Sequence, residues 1–252
     1  MISIEQIKEL RDRTSVGMTT CKKALEEAGG DMDKAIEVLR KSGEAKAAEK
    51  STRSTKEGTV AINGRAIVKL SCETDFVARN ERFVAFAESI ALEANNNGKE
   101  SAEKLFNDEL SIKTQEIGEN IQLGEISILS NGNVVASYLH SNNKVGTLVA
   151  LDGGDEIIAK DIAMHVTAMS PLVVSADQVP VELVEKEKEI AGEQLKNEGK
   201  PEGVWDKIIE GKIKKFCAEQ ALLSQSFVKD PSQTVEQYAG SAKVLEFARV
   251  AV

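Results

Sequence analysis

Histidine, cysteine and carboxylate are the side chains that most often do chemistry, and their spacing in this chain argues against an active site. His140 and His165 are the only histidines, and no Gly-x-Ser-x-Gly elbow accompanies them. His165 shares a helical face with Ile158, Ile162 and Met169, which points to a hydrogen-bonded core histidine and not to a catalytic base. Cys21, Cys72 and Cys217 are far apart, odd in number and without a second ligand at metal spacing. They read as reduced thiols in the cytoplasm, and no metal or cofactor is expected. The chain has no Gly-x-x-x-x-Gly-Lys-Ser/Thr loop, and Gly153-Gly154 lacks the third glycine of a dinucleotide fingerprint. Carboxylate pairs are plentiful among 41 acidic residues, but none has an informative context. The expectation is a protein that is not an enzyme.

Its partner is then the question. A net charge of -9 over 252 residues leaves no excess of positive charge for phosphates, so neither direct nucleic-acid binding nor membrane binding is expected. The N-terminus lacks the apolar run of a signal peptide, and no stretch is apolar enough to span a bilayer. A protein partner in the cytoplasm remains.

One short stretch stands out for a docking role, SCETDFVARNERF, from Ser71 to Phe83. An apolar run, Ala66 to Cys72, leads into an acid and Phe76 just before a helix start. Phe76 fits neither position of a hydrophobic staple: with Asn80 as N-cap, N′ is Arg79, and with Asp75 as N-cap, Phe76 is N1. The residues alone leave two readings, an ordinary core aromatic or an exposed contact.

The elements that position this stretch follow from periodicity. Ile4, Ile7 and Leu10, then Cys21, Ala24 and Leu25, then Ala35, Ile36 and Leu39 recur at helical spacing, interrupted by Thr14-Ser15-Val16-Gly17 and Gly29-Gly30-Asp31. This predicts a three-helix module over residues 1–50. The charged stretch GEAKAAEKSTRSTKEG has little to bury and reads as an exposed helical extension or linker, with 51–57 as the linker proper and the module tethered, not fused. From Gly58 the period turns strand-like, with a hairpin around Asn63-Gly64. Helices are expected at about Asn80 to Ala94 and Ser101 to Ile117. A strand group over Ile121 to Leu139 contains a turn at Asn131-Gly132, and Val145 to Leu151 is a further strand. A helix from Asp155 to Met169 stops at Ser170-Pro171. Residues 58–140 form a first core subdomain and 141–252 a second. The second includes an antiparallel helical hairpin over 181–223, whose second arm carries Ile209, Ile213, Phe216 and Leu223. The fold class is α+β. The pattern leaves open whether the hairpin also serves a homodimer within a larger complex.

Placing IVKLSCETDF over VGTLVALDGG sets Leu70 on Leu148 and Val84 on Ile162, a weak internal repeat. Asp75-Phe76 then falls opposite Gly153-Gly154, so a shared scaffold does not require an aromatic there.

Taken together, IKELRDRTSVGMTTCKKALEEAGGDMDKAIEVLRKSG, CETDFVARNERF, IGENIQLGEI, HSNNKVGTLVAL and IAMHVTAMSP closely resemble segments of bacterial elongation factor Ts. The resemblance spans nearly the whole chain. It implies a guanine-nucleotide exchange factor that binds elongation factor Tu and promotes GDP release during translation elongation. It also implies that the N-terminal module is of the ubiquitin-associated type and that the hairpin protrudes from the core. The Thr-Asp-Phe-Val signature falls on Thr74, Asp75, Phe76 and Val77, the segment that disturbs the partner's magnesium site in the family, with the phenylalanine as wedge. Arg11 and Met18 are implied contacts of the N-terminal module, and His140 of the second half of the core. Thr19 stands where many members carry a second methionine, and contacts of the family's C-terminal helical extension are not carried over. The rival expectation is a non-catalytic adaptor that binds ubiquitin through Val16-Gly17-Met18.

Overall fold

Strand β1, Glu57–Asn63, and strand β2, Ala66–Cys72, form the hairpin around which the first part of the protein is built. Asn63 pairs with Ala66, so the turn residues are Gly64 and Arg65, one position later than the Asn-Gly pair suggested. Gly64 has a φ of +52°, and a Cβ there would lie 2.4 Å from Asn95 Oδ1. That same oxygen accepts the Arg65 N–H at 2.8 Å, so the turn is held from outside. The computed structural model describes residues 2–14 and 16–252, with the side chains of 44–48 also left out. Ser15 of the expected first turn, and the side chains of 44–48 in the expected extension, thus lie outside the described residues.

The protein is a mixed helix and sheet structure, of the α+β class. It forms two units. The first comprises Met1–Ile128, Leu139–Gly146 and Val250–Val252, and the second Leu129–Tyr138 and Thr147–Arg249. In the first, helices α1 (Ile4–Thr14), α2 (Met18–Glu27) and α3 (Met32–Lys50) enclose a small core of Leu10, Val16, Cys21, Leu25 and Leu39. Beyond them β1, β2 and β3 (Gln122–Ile128) make an antiparallel sheet with β2 in the middle. Helices α4 (Asp75–Ala78), α5 (Glu81–Asn97) and α6 (Lys99–Ile117) follow β2. The buried face of α5, Phe83, Phe86, Ile90 and Ala94, repeats at helical spacing and packs on Val68, Leu70 and Cys72 of the sheet. Each such large side chain contributes about 1.5–3 kcal/mol by leaving water.

Helix α3 runs to Lys50, so the expected extension is helical to that point, with Glu49 and Ser51 to Ser54 exposed, but it is not wholly free of the rest of the unit. It packs on α6: Gln115 Nε2 donates to the Leu39 carbonyl at 2.6 Å, and Ile112 lies against the three-helix core. Gly43 is buried there, and a Cβ on it would meet the Ser111 carbonyl oxygen at 2.5 Å. The reason the sequence pattern misses this contact is that it rests on the lack of a side chain.

In the second unit, the sheet order is β4 (Val134–Leu139), β5 (Val145–Asp152) and β8 (Lys243–Ala251). The strand group expected over Ile121 to Leu139 is thereby divided between two sheets. Helix α7 (Glu156–Met169) packs on Val149 and Leu151 through Ala159, Ile162, Ala163 and Val166. Leu70 and Leu148 are both fully buried on middle strands that lead into helices, as the weak repeat requires. Helix α8 (Val181–Asn197) and helix α9 (Trp205–Gln220) pack on each other through a turn, with Ala191 and Leu195 buried and Lys212 Nζ 2.6 Å from Gln194 Oε1. The arm ends earlier than Leu223. Ala221 and Leu222 are fully buried, and the Leu222 N–H donates to the Val173 carbonyl at 2.9 Å. A short pair, β6 (Ser226–Phe227) and β7 (Asp230–Thr234), and helix α10 (Val235–Ala239) complete the unit.

Candidate functional site

Helix α4 is one turn long, too short to hold itself together in water. Its N-cap is Thr74, whose hydroxyl accepts the Val77 N–H at 3.4 Å. Of the two caps considered from sequence, Asn80 does cap α5, accepting the Arg82 N–H at 3.0 Å, whereas in α4 Asp75 is N1 and Phe76 is N2. Asp75 sits favourably at the positive end of the turn, and its carboxylate lies 3.5 Å from Arg79 Nη2. Both groups of that pair are well exposed, so it adds little. The turn buries Ala78 and packs the half-buried Val77 on the core. Phe76 points away, 83% exposed. At the matching place in the second unit, Gly153 and Gly154 lead directly to Asp155, which caps α7 by accepting from Ile157 and Ile158 at 2.9 Å each.

The turn is held by residues that sequence reasoning did not single out. Glu119 Oε2 accepts the N–H of Glu73 at 2.9 Å and of Thr74 at 3.0 Å, while the Thr74 hydroxyl donates to Glu119 Oε1 at 2.6 Å. In the opposite direction, Glu73 Oε1 accepts the N–H of Asn120 at 2.7 Å. Asn120, itself buried, donates through its amide to the Arg53 carbonyl at 2.8 Å. Glu119 can make this reach because α6 ends at Gly118, a left-handed residue with φ +88°. Under the same loop, Cys72 donates to the Thr74 carbonyl at 3.2 Å. Burial, and then the Glu119 carboxylate, push the Cys72 thiol up to about 12, so it stays protonated and inert.

Beside α4 lies a groove of about 460 Å3, lined by Gly58, Ala78, Arg79, Val84 and residues 141–144. The loop is fixed to β1, where the Val60 N–H donates to the Asn143 carbonyl at 2.7 Å and Lys144 pairs with Glu57. His140, exposed at the start of this loop, has Nδ1 3.1 Å from Asn142 Oδ1. His140 therefore belongs to the first unit, with α4, although it was expected to act with the second half of the core. Arg11 is exposed in the last turn of α1, and Met18, 41% exposed, opens α2. Neither is among the residues that line the groove. Among the described residues no helix is long and apolar enough to cross a membrane.

A family model described as Elongation factor TS matches residues 73–252, a span that begins one residue before the Thr74 cap and includes Glu119. The chain belongs to the elongation factor Ts family. The elongation factor Ts of Alkalilimnicola ehrlichii is 44% identical over 269 residues, covering 100% of this chain and 92% of the relative. That of Cellvibrio japonicus is 46% identical over 258 residues, covering 98% and 89%. That of Chlorobium phaeobacteroides is 45% identical over 258 residues, covering 93% and 90%. As a member of the elongation factor Ts family, the chain has a role in translation elongation and protein biosynthesis.

Proposed function

We propose that this chain is the guanine-nucleotide exchange factor for elongation factor Tu, and that Phe76 enters the partner beside its magnesium and phosphate site so that GDP leaves. The observation that carries the reading is the 83% exposure of Phe76 on a turn fixed to the core. An exchange factor makes no covalent bond. It binds the nucleotide-free partner more tightly than the loaded one, and by reciprocity weakens the nucleotide by the same factor. Magnesium and oriented backbone groups hold a diphosphate largely by charge, so an apolar wedge that shifts them removes that stabilisation without an acid or a base.

Magnitudes show what else is needed. A thousand-fold loss of nucleotide affinity takes about 4 kcal/mol of differential binding. Burying one phenylalanine supplies about 1.5–3 kcal/mol, so other contacts must contribute. Asp75, Thr74 and Val77 set the wedge, His140 and its loop offer a polar flank, and Arg11 and Met18 supply a second docking point. In this reading residues 1–50 are a docking module of the ubiquitin-associated type. Residues 58–140 and 141–252 are the two core parts, the hairpin protrudes, and the factor works in the cytoplasm. The rival adaptor reading is weakened by Val16, which is only 2% exposed and leaves Met18 as the one apolar contact of that segment.

The test is release of labelled GDP from elongation factor Tu. The chain is expected to accelerate release at substoichiometric amounts, and binding without acceleration would leave only the adaptor.

A further inference from the structure

We infer that Glu119 is the positioning residue for Phe76: its carboxylate fastens the segment 73–74 to the end of α6, and the direction in which Phe76 is presented depends on it. The inference rests on the exchange-factor reading. It is carried by the geometry, because one carboxylate satisfies two consecutive backbone N–H groups, at 2.9 and 3.0 Å, and the hydroxyl of the capping residue at 2.6 Å. That hydroxyl in turn accepts from Val77, so the contact passes through the cap to the turn that bears Phe76. The segment is latched twice, since Glu73 reaches back to the N–H of Asn120 at 2.7 Å with Arg53 3.6 Å from the same Glu73 oxygen. Nothing else among the described hydrogen bonds holds the N–H of Glu73 or Thr74. Removal of the Glu119 carboxylate leaves the N–H groups of Glu73 and Thr74 without their acceptor and the segment with one latch, and a one-turn helix has no cooperative stability of its own to make up the loss.

A role through Phe76 differs from general support of the fold in being non-additive with it. Labelled-GDP release from elongation factor Tu is measured with the full chain as wild type, Glu119→Ala, Glu119→Gln, Phe76→Ala and Glu119→Ala with Phe76→Ala. Glu119→Ala is expected to lower exchange efficiency on the order of ten-fold, because a small misplacement of a wedge is costly. In the Phe76→Ala background it should change the rate by less than about two-fold. Glu119→Gln should recover most of the loss, since an amide can still accept the two N–H groups through its oxygen while donating to Thr74 Oγ1. Amide hydrogen exchange should show protection lost at residues 73–77 in Glu119→Ala and kept in α5.

Equal effects of Glu119→Ala in both backgrounds, or protection lost throughout the unit, would overturn the positioning role in favour of a general structural one. Normal exchange in Glu119→Ala with a damaged Phe76→Ala would overturn it while leaving the wedge intact. Wild-type exchange in Phe76→Ala would instead remove the wedge itself.

Discussion

His165 Nε2 lies 2.9 Å from Gln225 Oε1, while His165 Nδ1 accepts the N–H of Val228 at 3.1 Å. The second bond requires a bare nitrogen, so the buried ring is neutral with its proton on Nε2. Burial lowers its proton affinity below the ordinary 6.5, and the bond to Gln225 only partly opposes this. The charged neighbours are occupied elsewhere: Asp161, one turn earlier, pairs with Lys229 at 2.6 Å and accepts from Tyr238 at 2.7 Å. A histidine lowered in the folded state leaves the unfolded chain binding more protons in acid. Its contribution is complete above the unfolded value and is lost as pH falls from there toward the folded one. The urea midpoint should therefore drop between about pH 7.5 and about pH 5.5, and His165→Gln should flatten that drop. An unchanged slope in the variant would place the titrating group elsewhere.

Phe76→Ala should leave stability almost untouched. A core phenylalanine cut to alanine costs about 3–5 kcal/mol, whereas a side chain this exposed should cost less than about 0.5 kcal/mol. Loss of a binding hot spot of about 2 kcal/mol would slow exchange roughly thirty-fold. Unfolding midpoint and GDP release, measured on the same preparation, check the two halves.

Gly43→Ala should pull α3 from α6. The new methyl meets the Ser111 carbonyl, which is backbone and cannot swing aside, and overpacking of this kind costs about 1–3 kcal/mol. Amide exchange should speed up around Gln115 and Leu39 while β2 keeps its protection. Unchanged protection would mean that the helices part easily enough to admit a methyl group.

The helical arm should be removable only up to its true end. Replacing residues 181–219 by a short linker is expected to preserve cooperative unfolding. Extending the cut to Leu223 removes fully buried Leu222 and its bond to Val173, at a cost of about 2–5 kcal/mol. Equal urea midpoints for both deletions would show that Leu222 contributes no core stability.

Thiol labelling should discriminate the cysteines. Cys217 is half-buried, whereas Cys21 and Cys72 are buried and both are pushed toward the unreactive thiol. Native protein should take up one equivalent of iodoacetamide quickly, at Cys217, located by mass spectrometry. Early modification of Cys72 would show that the loop over it opens.

Local chemistry was legible and distant partnership was not. The hairpin around Asn63-Gly64, the helix that runs to Met169 and the buried face of Ile162 and His165 are each written within a few adjacent residues, although Met169, read onto the same face, is exposed. The bond between Thr74 and Glu119 joins positions 45 residues apart, and no period or spacing announces it. Gly43 shows a second blind spot, since a pattern of apolar side chains gives no weight to a contact made by bare backbone. Phe76 is a third case. Its misfit to the staple positions left both a core and an exposed reading open, and the burial of Val77 and Ala78 on one side of the turn shows which way the aromatic faces.

The one-turn helix α4 has a kinetic consequence. Were its loop free in the unbound protein, each encounter would have to wait for the competent arrangement, and the association rate would fall with that arrangement's population. With the segment hydrogen-bonded at Glu73 and Thr74 and packed through Val77 and Ala78, the ordering entropy is spent on folding, before the partner arrives. The association rate is then set by the frequency of correctly oriented collisions, which is what the proposed exchange function calls for, since it has one factor meet partner after partner.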